Sequence, residues 1–310
     1  MSAVRSQSNR RDFSKLLLGG AAGWSLSSDA FGQDAVSATK LTDSVALLTG
    51  AGSNVLAVIA PDGLLLVDGG LAAHAAALAD ALKALAAERP VRVLFNTHWH
   101  AEQTGFNEAA AKAGAKIVAH EYTKQYLGID VYLEWQNRTY QPLPKSAWPN
   151  ETFRATGKMT FGGEAIEYGH LGQAHTDGDI YVFLPGPNIL ITGDVISVGK
   201  YPILDYSSNG WIRGMANANK TLIDMANAQT RVIPGQGAVQ DRAYMDKQHE
   251  MLTTMLDRMI KMIRMGYGAS DMLAEGATKG YDADWGDPEL FIKNAYRGMW
   301  GHVRELGGIV

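Results

Sequence analysis

The stretch "NTHWHAEQTG", residues 96–105, decides how the rest of the chain is read. His98 and His100 are separated by one residue. Two imidazoles so spaced in a loop can converge on one ion at about 2.0–2.1 Å per bond, and a third from elsewhere closes a three-nitrogen face. Glu102 and Gln103 follow in the same loop. Just upstream, "VRVLFNT" (91–97) has the composition of a buried strand that delivers both histidines to a loop at its C-terminal end. Downstream, "QTGFNEAAAKAGA" (103–115) predicts a helix leading to the strand "KIVAH" (116–120).

Working outward, "VALLTG" (45–50), "NVLAVIA" (54–60) and "LLLVDGG" (64–70) predict three consecutive strands, with a turn at "PDG" (61–63). A helix is expected over 71–88, ended by Pro90. From Glu121 to Glu151 the periodicity is lost and rings accumulate: Tyr122, Tyr126, Tyr132, Trp135, Tyr140 and Trp148, interrupted by prolines. That segment is either a flap or pocket wall, or an apolar cluster pinning a long loop. A second strand series follows in "KMTFGG", "EAIEYGH", "DIYVFLP" and "NILITGD", then a helix from Trp211, the strand "RVIPG" (231–235) and long helices to the C-terminus. Two similar halves of strands and helices predict an α/β chain folded as an αββα sandwich, two mixed sheets face to face with helices outside. One domain is expected over 33–310, with a helical extension from about 240.

Composition narrows the chemistry. With 310 residues, of which 46% are hydrophobic and 19% charged, the chain can bury one substantial core. A formal net charge of −4 and the lack of any basic run give no general attraction to nucleic acid or anionic membrane. The chain has no cysteine, so disulfides, thiolate metal sites and a cysteine nucleophile are excluded, and any metal must be held by imidazole and carboxylate. The expected partner is a small-molecule substrate; no sequence feature assigns an oligomeric state.

The N-terminal stretch "SNRRDFSKLLLGGAAGWSLSSDAFGQ" (8–33) pairs Arg10 and Arg11 with Phe13, a short apolar run and small residues. It resembles a twin-arginine export signal over residues 1–32, so the export machinery is an expected partner and the mature protein is expected in the periplasm. The apolar run is too short for a permanent membrane anchor.

The paired histidines are reinforced by "GQAHTDGD" (172–179), "ITGDV" (191–195) and "VIPGQG" (232–237). In this order, with "LLLVDGG" before them, the motifs closely resemble those of the metallo-β-lactamase superfamily from about Val45 to Val239. The resemblance implies a first metal on His98, His100 and His175. It implies a second on the positions of Glu102, Gln103 and Gln236, with Asp194 reaching both. All three ligands of the first subsite are present, and every departure falls on the second. Glutamine is a weak neutral ligand and glutamate is longer than aspartate, so a single zinc is expected on the three histidines, with Asp194 as fourth ligand or as partner to a bound water.

The resemblance makes Asp68 a loop-ordering residue, and Asp177 and Asp179 are assigned the same role by the same logic. His170 is expected to pack or to support the site from outside. The implied chemistry is hydrolysis of an ester, lactone, thioester or amide. Water acidified by the metal would be the nucleophile, Glu102 the general base, and Gln103 and Gln236 donors to an oxyanion. Tyr132, Trp135 and Tyr206 are expected to wall the pocket, and "YPILDYSSNG" (201–210) to border it, its hydroxyls equally able to form turns. β-Lactam hydrolysis is not favoured, because Asp194 is present where the cysteine-free subclass usually lacks it. Two alternatives use the same residues: ferrous iron on two histidines and Asp194, as in sulfur dioxygenases, or a metal-depleted binding protein.

Overall fold

Every residue of the strand Gly63–Val67 is buried, which explains why its sequence is apolar without alternation: both faces of its sheet are covered. The structure, a computed structural model, describes residues 35–307, and the segment read as an export signal lies outside them.

In chain order the first half comprises β1 (Ser37–Lys40), β2 (Val45–Thr49), β3 (Val55–Ala60), β4 (Gly63–Val67), α1 (Ala75–Ala86), β5 (Val91–Phe95), α2 (Ala101–Thr104), α3 (Asn107–Lys112), β6 (Lys116–His120), α4 (Glu121–Tyr126), β7 (Val131–Leu133), β8 (Arg138–Tyr140) and β9 (Glu151–Phe153). The second half comprises β10 (Thr156–Phe161), β11 (Glu164–His170), β12 (Ile180–Leu184), β13 (Ile189–Gly193), α5 (Ile212–Met225) and β14 (Arg231–Pro234). Helices α6 (Arg242–Arg264), α7 (Ala269–Ala274), α8 (Asp282–Trp285) and α9 (Glu289–Gly301) follow.

One sheet has the order β1-β2-β3-β4-β5-β6-β9 and the other β10-β11-β12-β13-β14. Pairing is antiparallel from β1 to β4 and parallel from β4 through β9. In the second sheet only β13 and β14 run parallel.

Leu65, Val67, Val93 and Phe95 of the first sheet meet Ile166, Val182, Ile191 and Ile233 of the second in the central core. Their neighbours Leu64, Leu66 and Leu94 point the other way, onto Leu78, Leu82 and Ala110 of α1 and α3. Leu190 and Val232 face α5, α6 and α9. The layers are therefore helix, sheet, sheet, helix, the αββα sandwich expected from the strand and helix pattern.

Two local expectations are corrected. The helix expected over 103–115 is two short helices, α2 and α3, because Gly105 N–H donates to the Gly70 carbonyl instead of continuing the helical ladder. Gly105 also lies so close to the 70–72 backbone that a Cβ there would fall 2.1 Å from Ala72 N. The aperiodic segment 121–151 contains helix α4 and the hairpin β7–β8, elements of six and three residues, too short to show a period. Four of its six rings belong to an apolar cluster: Tyr126, Trp135, Tyr140 and Trp148 pack with Leu143 around Leu127, Val131, Leu133 and Trp99. Through Trp99 this cluster abuts the histidine loop.

Candidate metal centre

Strands β4, β5, β13 and β14 end on the same side of the sandwich, and Asp68, His98, Asp194 and Gln236 follow them there. The loop after β5 is fixed from three sides. Asp68 accepts from Thr97 N and Thr97 Oγ1, both at 2.8 Å; Ile180 N donates to the Thr97 carbonyl; and Asn96 Nδ2 bonds the Gln103 carbonyl and Asn107 Oδ1. Asp68 is buried with a φ of 63°, a left-handed conformation that costs a non-glycine residue backbone strain and persists because these bonds hold it. Burial pushes its carboxyl well above the usual range, against the lowering effect of the Thr97 bonds.

His98, His100 and His175 are 0%, 5% and 1% exposed, and their ligand atoms lie within 4.8 Å of one another. The outer nitrogen of each ring has a fixed partner. His175 Nδ1 donates to the Ile203 carbonyl at 2.8 Å, and His100 Nε2 to the Asp205 carboxylate at 3.0 Å. Thr97 Oγ1, its proton committed to Asp68, accepts from His98 Nδ1 at 3.2 Å.

Each neutral ring therefore turns a bare lone pair inward. His98 Nε2 is buried without a partner, and His100 Nδ1 and His175 Nε2 face each other at 3.0 Å. Three converging lone pairs repel unless a cation lies among them, so the residues present fit a metal ion. The acid–base balance agrees for His98 and His175, which are held neutral, whereas His100 is pulled toward its charged form. Burial holds His98 well below its ordinary value and, with the neighbouring His100, takes His175 to about 4. Burial also disfavours a charged His100, but the Asp205 bond and charge outweigh it and raise the ring.

Asp205 was not among the residues singled out from sequence, although the stretch around it was. It is fully buried, accepts from Ser207 N at 3.0 Å and from Ser208 Oγ, and Ser208 Oγ in turn accepts from Trp99 Nε1 at 3.1 Å. The tryptophan between the two histidines and the carboxylate behind the second thus share one hydrogen-bonded chain. No spacing rule joins residue 205 to residue 100; only the fold does.

Asp194 Oδ2 lies 4.0 Å from His175 Nε2, and burial raises its carboxyl. Behind it Gly235 approaches so closely that a Cβ would sit 1.9 Å from Asp194 Oδ1. Gln103 is fully buried, its Nε2 3.4 Å from Asp194 Oδ1 and its Oε1 without a partner. Gln236 Oε1 accepts from Lys200 Nζ at 3.0 Å. Both amides were expected to donate to an oxyanion; the Gln103 nitrogen is turned to Asp194, while the Gln236 oxygen accepts from a lysine. Glu102 is half-buried, bonds none of the described residues, and its charge favours a protonated His100 and only partly opposes the lowering of His175.

The remaining expected residues lie further out. His170 Nε2 donates to the Asp177 carbonyl at 2.8 Å and its ring stacks on His120 at 3.8 Å, which props the loop bearing His175. Asp179 accepts from Thr176 N and Oγ1, and Asp177 from Tyr126 and Asn209, ordering that loop as read. Tyr132 is half exposed and donates to Asn137, Trp135 packs in the aromatic cluster, and Tyr206 donates to Glu134. A cavity of about 600 Å³ opens between Trp135 and α9, but none of the histidine-site residues lines it.

The model of the metallo-beta-lactamase superfamily matches residues 48–238. No curated protein matches the chain. Among solved structures, a metallo-beta-lactamase from Pontibacter korlensis is 23% identical with a TM-score of 0.57, over 70% of this chain and 99% of that one. The DIM-1 metallo-beta-lactamase is 19% identical with a TM-score of 0.57, over 71% and 97%. The inverting sec-alkylsulfatase Pisa1 from Pseudomonas sp. is 16% identical with a TM-score of 0.68, over 88% of this chain and 50% of that one. These likenesses establish the fold, and the matched model covers more than half of the sequence together with the three-histidine group. The chain belongs to the metallo-beta-lactamase superfamily.

Proposed function

We propose that the protein is a hydrolase with one catalytic metal ion, zinc, held by His98 Nε2, His100 Nδ1 and His175 Nε2, acting on an ester, lactone, thioester or amide of a small molecule. The observation that carries this reading is the pinning of all three outer ring nitrogens by acceptors, which leaves three nitrogen lone pairs directed at one point. A three-nitrogen face suits zinc better than ferrous iron, which would need Asp194 in place of one imidazole. A bound divalent ion supplies Lewis-acid polarisation of the scissile carbonyl and a water acidic enough to react at neutral pH.

The chain's own residues do the rest. Asp194, wedged against Gly235, orients the water, and Gln103 holds Asp194 in place. Glu102, free of protein partners among the described residues, is the base that takes the proton as water attacks the carbonyl carbon; that proton then passes to the departing oxygen, sulfur or nitrogen. A single occupied subsite is supported by the second one, where Gln103 presents its nitrogen to Asp194 and Gln236 presents its oxygen to an ammonium. A periplasmic location is part of this proposal, supported by the likeness of the Arg10–Arg11 stretch to a twin-arginine signal.

The test is elemental analysis of protein purified without added metal, followed by hydrolysis of an ester, lactone and thioester panel. One zinc per chain, lost in His98→Ala, is expected. Glu102→Gln should keep the metal and lose turnover by about 10²–10⁴-fold, the usual contribution of a positioned general base. Two ions per chain, or none, would contradict the reading.

A further inference from the structure

The cavity between Trp135 and α9 holds about 600 Å³, inside the range of about 300–1,000 Å³ usual for small-molecule sites. Trp135, between β7 and β8, lines it together with Ala269 at the start of α7 and Leu290 and Asn294 on α9.

The charges around this cavity are matched within the protein. Arg297 donates to Glu134 at 2.9 Å, Lys293 pairs with Glu289, and Asp287 accepts from Glu289 N at 2.9 Å. Two neutral groups are not matched. Asn294 is 2% exposed and its Nδ2 has no partner among the described residues; the same holds for Trp135 Nε1, and both nitrogens are shielded from solvent. A folded chain rarely leaves such groups so, because each has given up its bond to water without another replacing it. An amide nitrogen and an indole nitrogen can only donate. What the cavity lacks is therefore an acceptor.

Apolar surface lies beside these donors: the Trp135 ring, and Leu290, which is 37% exposed. A further negative charge is disfavoured, since Glu134, Asp287 and Glu289 outnumber Lys293 and Arg297 in the lining.

We propose that the cavity is a second binding site, separate from the metal centre, for a neutral small molecule with a carbonyl oxygen to accept from Asn294 and Trp135 and an apolar body to cover Leu290 and the indole ring. Amides and esters meet that description; carboxylates do not. The assignment uses none of the metal-site residues, so it does not rest on the hydrolase reading.

The test follows the indole itself. The full chain is labelled with ¹⁵N-tryptophan, and its seven indole N–H resonances are recorded as N-methylbenzamide is added. Trp135→Phe identifies the Trp135 signal by its loss. That signal should move saturably in the parent, and benzoate, similar in shape but charged, should move it only at higher concentration. Asn294→Leu, similar in volume, should weaken N-methylbenzamide binding by about 3–10-fold, the worth of one hydrogen bond. Ala269→Phe, at a partly exposed position, fills the space and should abolish the shift. A Trp135 signal that stays still with both N-methylbenzamide and ethyl benzoate overturns the assignment, since water alone then occupies the cavity. A shift of equal size and midpoint in the parent and both variants overturns it too, and tighter binding of benzoate than of the amide overturns the neutral class.

Discussion

Replacing Asp205 by asparagine tests whether the carboxylate behind His100 governs metal binding. The native carboxylate can only accept, so a neutral His100 must carry its proton on Nε2 and leave Nδ1 bare for a metal. In Asp205→Asn one oxygen remains for Ser207 N, while the new amide N–H₂ meets His100 Nε2–H, donor against donor. Either His100 moves its proton to Nδ1, into the space where the three lone pairs converge, or the ring turns away. Both remove one of three ligands from its bonding geometry. Loss of such an outer partner costs about 10–100-fold in metal affinity, or about 1.4–2.7 kcal/mol. Competition with a chromophoric chelator at fixed pH gives the zinc dissociation constant directly, and circular dichroism verifies that the variant is folded. A folded Asp205→Asn that binds zinc within twofold of the parent would refute the reasoning, since the tautomer would then be set by something other than this carboxylate.

Gly235→Ala should cost about 1–3 kcal/mol, the usual range for overpacking, because its Cβ would fall 1.9 Å from Asp194 Oδ1. Thermal unfolding at an unchanged midpoint would show that the β13–β14 end yields more easily than the spacing implies. Burial, and the neighbouring His170, lower His120 from an ordinary 6.5 to about 4. Its neutral ring therefore stabilises the fold fully above about pH 6.5, and that contribution fades as pH falls toward 4, because the unfolded chain takes up the proton first. His120→Asn keeps an acceptor for Tyr122 N at the start of α4 and removes the titration, so urea midpoints at pH 7.5 and 4.5 should differ less in the variant than in the parent. An equal difference would assign the acid sensitivity to other groups.

What the sequence disclosed, and what it withheld, follow from how far apart the cooperating residues lie. The strands flanking His98 were legible because burial on both faces leaves unbroken apolar runs such as Gly63–Val67. His98, His100 and His175 were legible because a metal demands a particular ligand chemistry at each loop. Helix α4 and the hairpin β7–β8 were not, since six- and three-residue elements complete no period. Asp205 was hidden for a different reason: its neighbours suggested turn formation, which is real, since Asp205 accepts from Ser207 N. Its second role depends on residue 100 arriving from the other sheet. Lys200 was silent in the same way, a surface lysine by sequence and a cavity-lining cation only once Gln236 is brought beside it.

Glu134 accepts from Tyr206 on one carboxylate oxygen and from Arg297 on the other. Arg297 lies in α9, nearly sixty residues beyond the stretch that matches the superfamily model. The tail is thus fastened, by way of the hairpin, to the residue next to Asp205. Chimeras that exchange only the shared core between relatives would sever that fastening, so the unit in which this protein can be recombined or transplanted extends through α9.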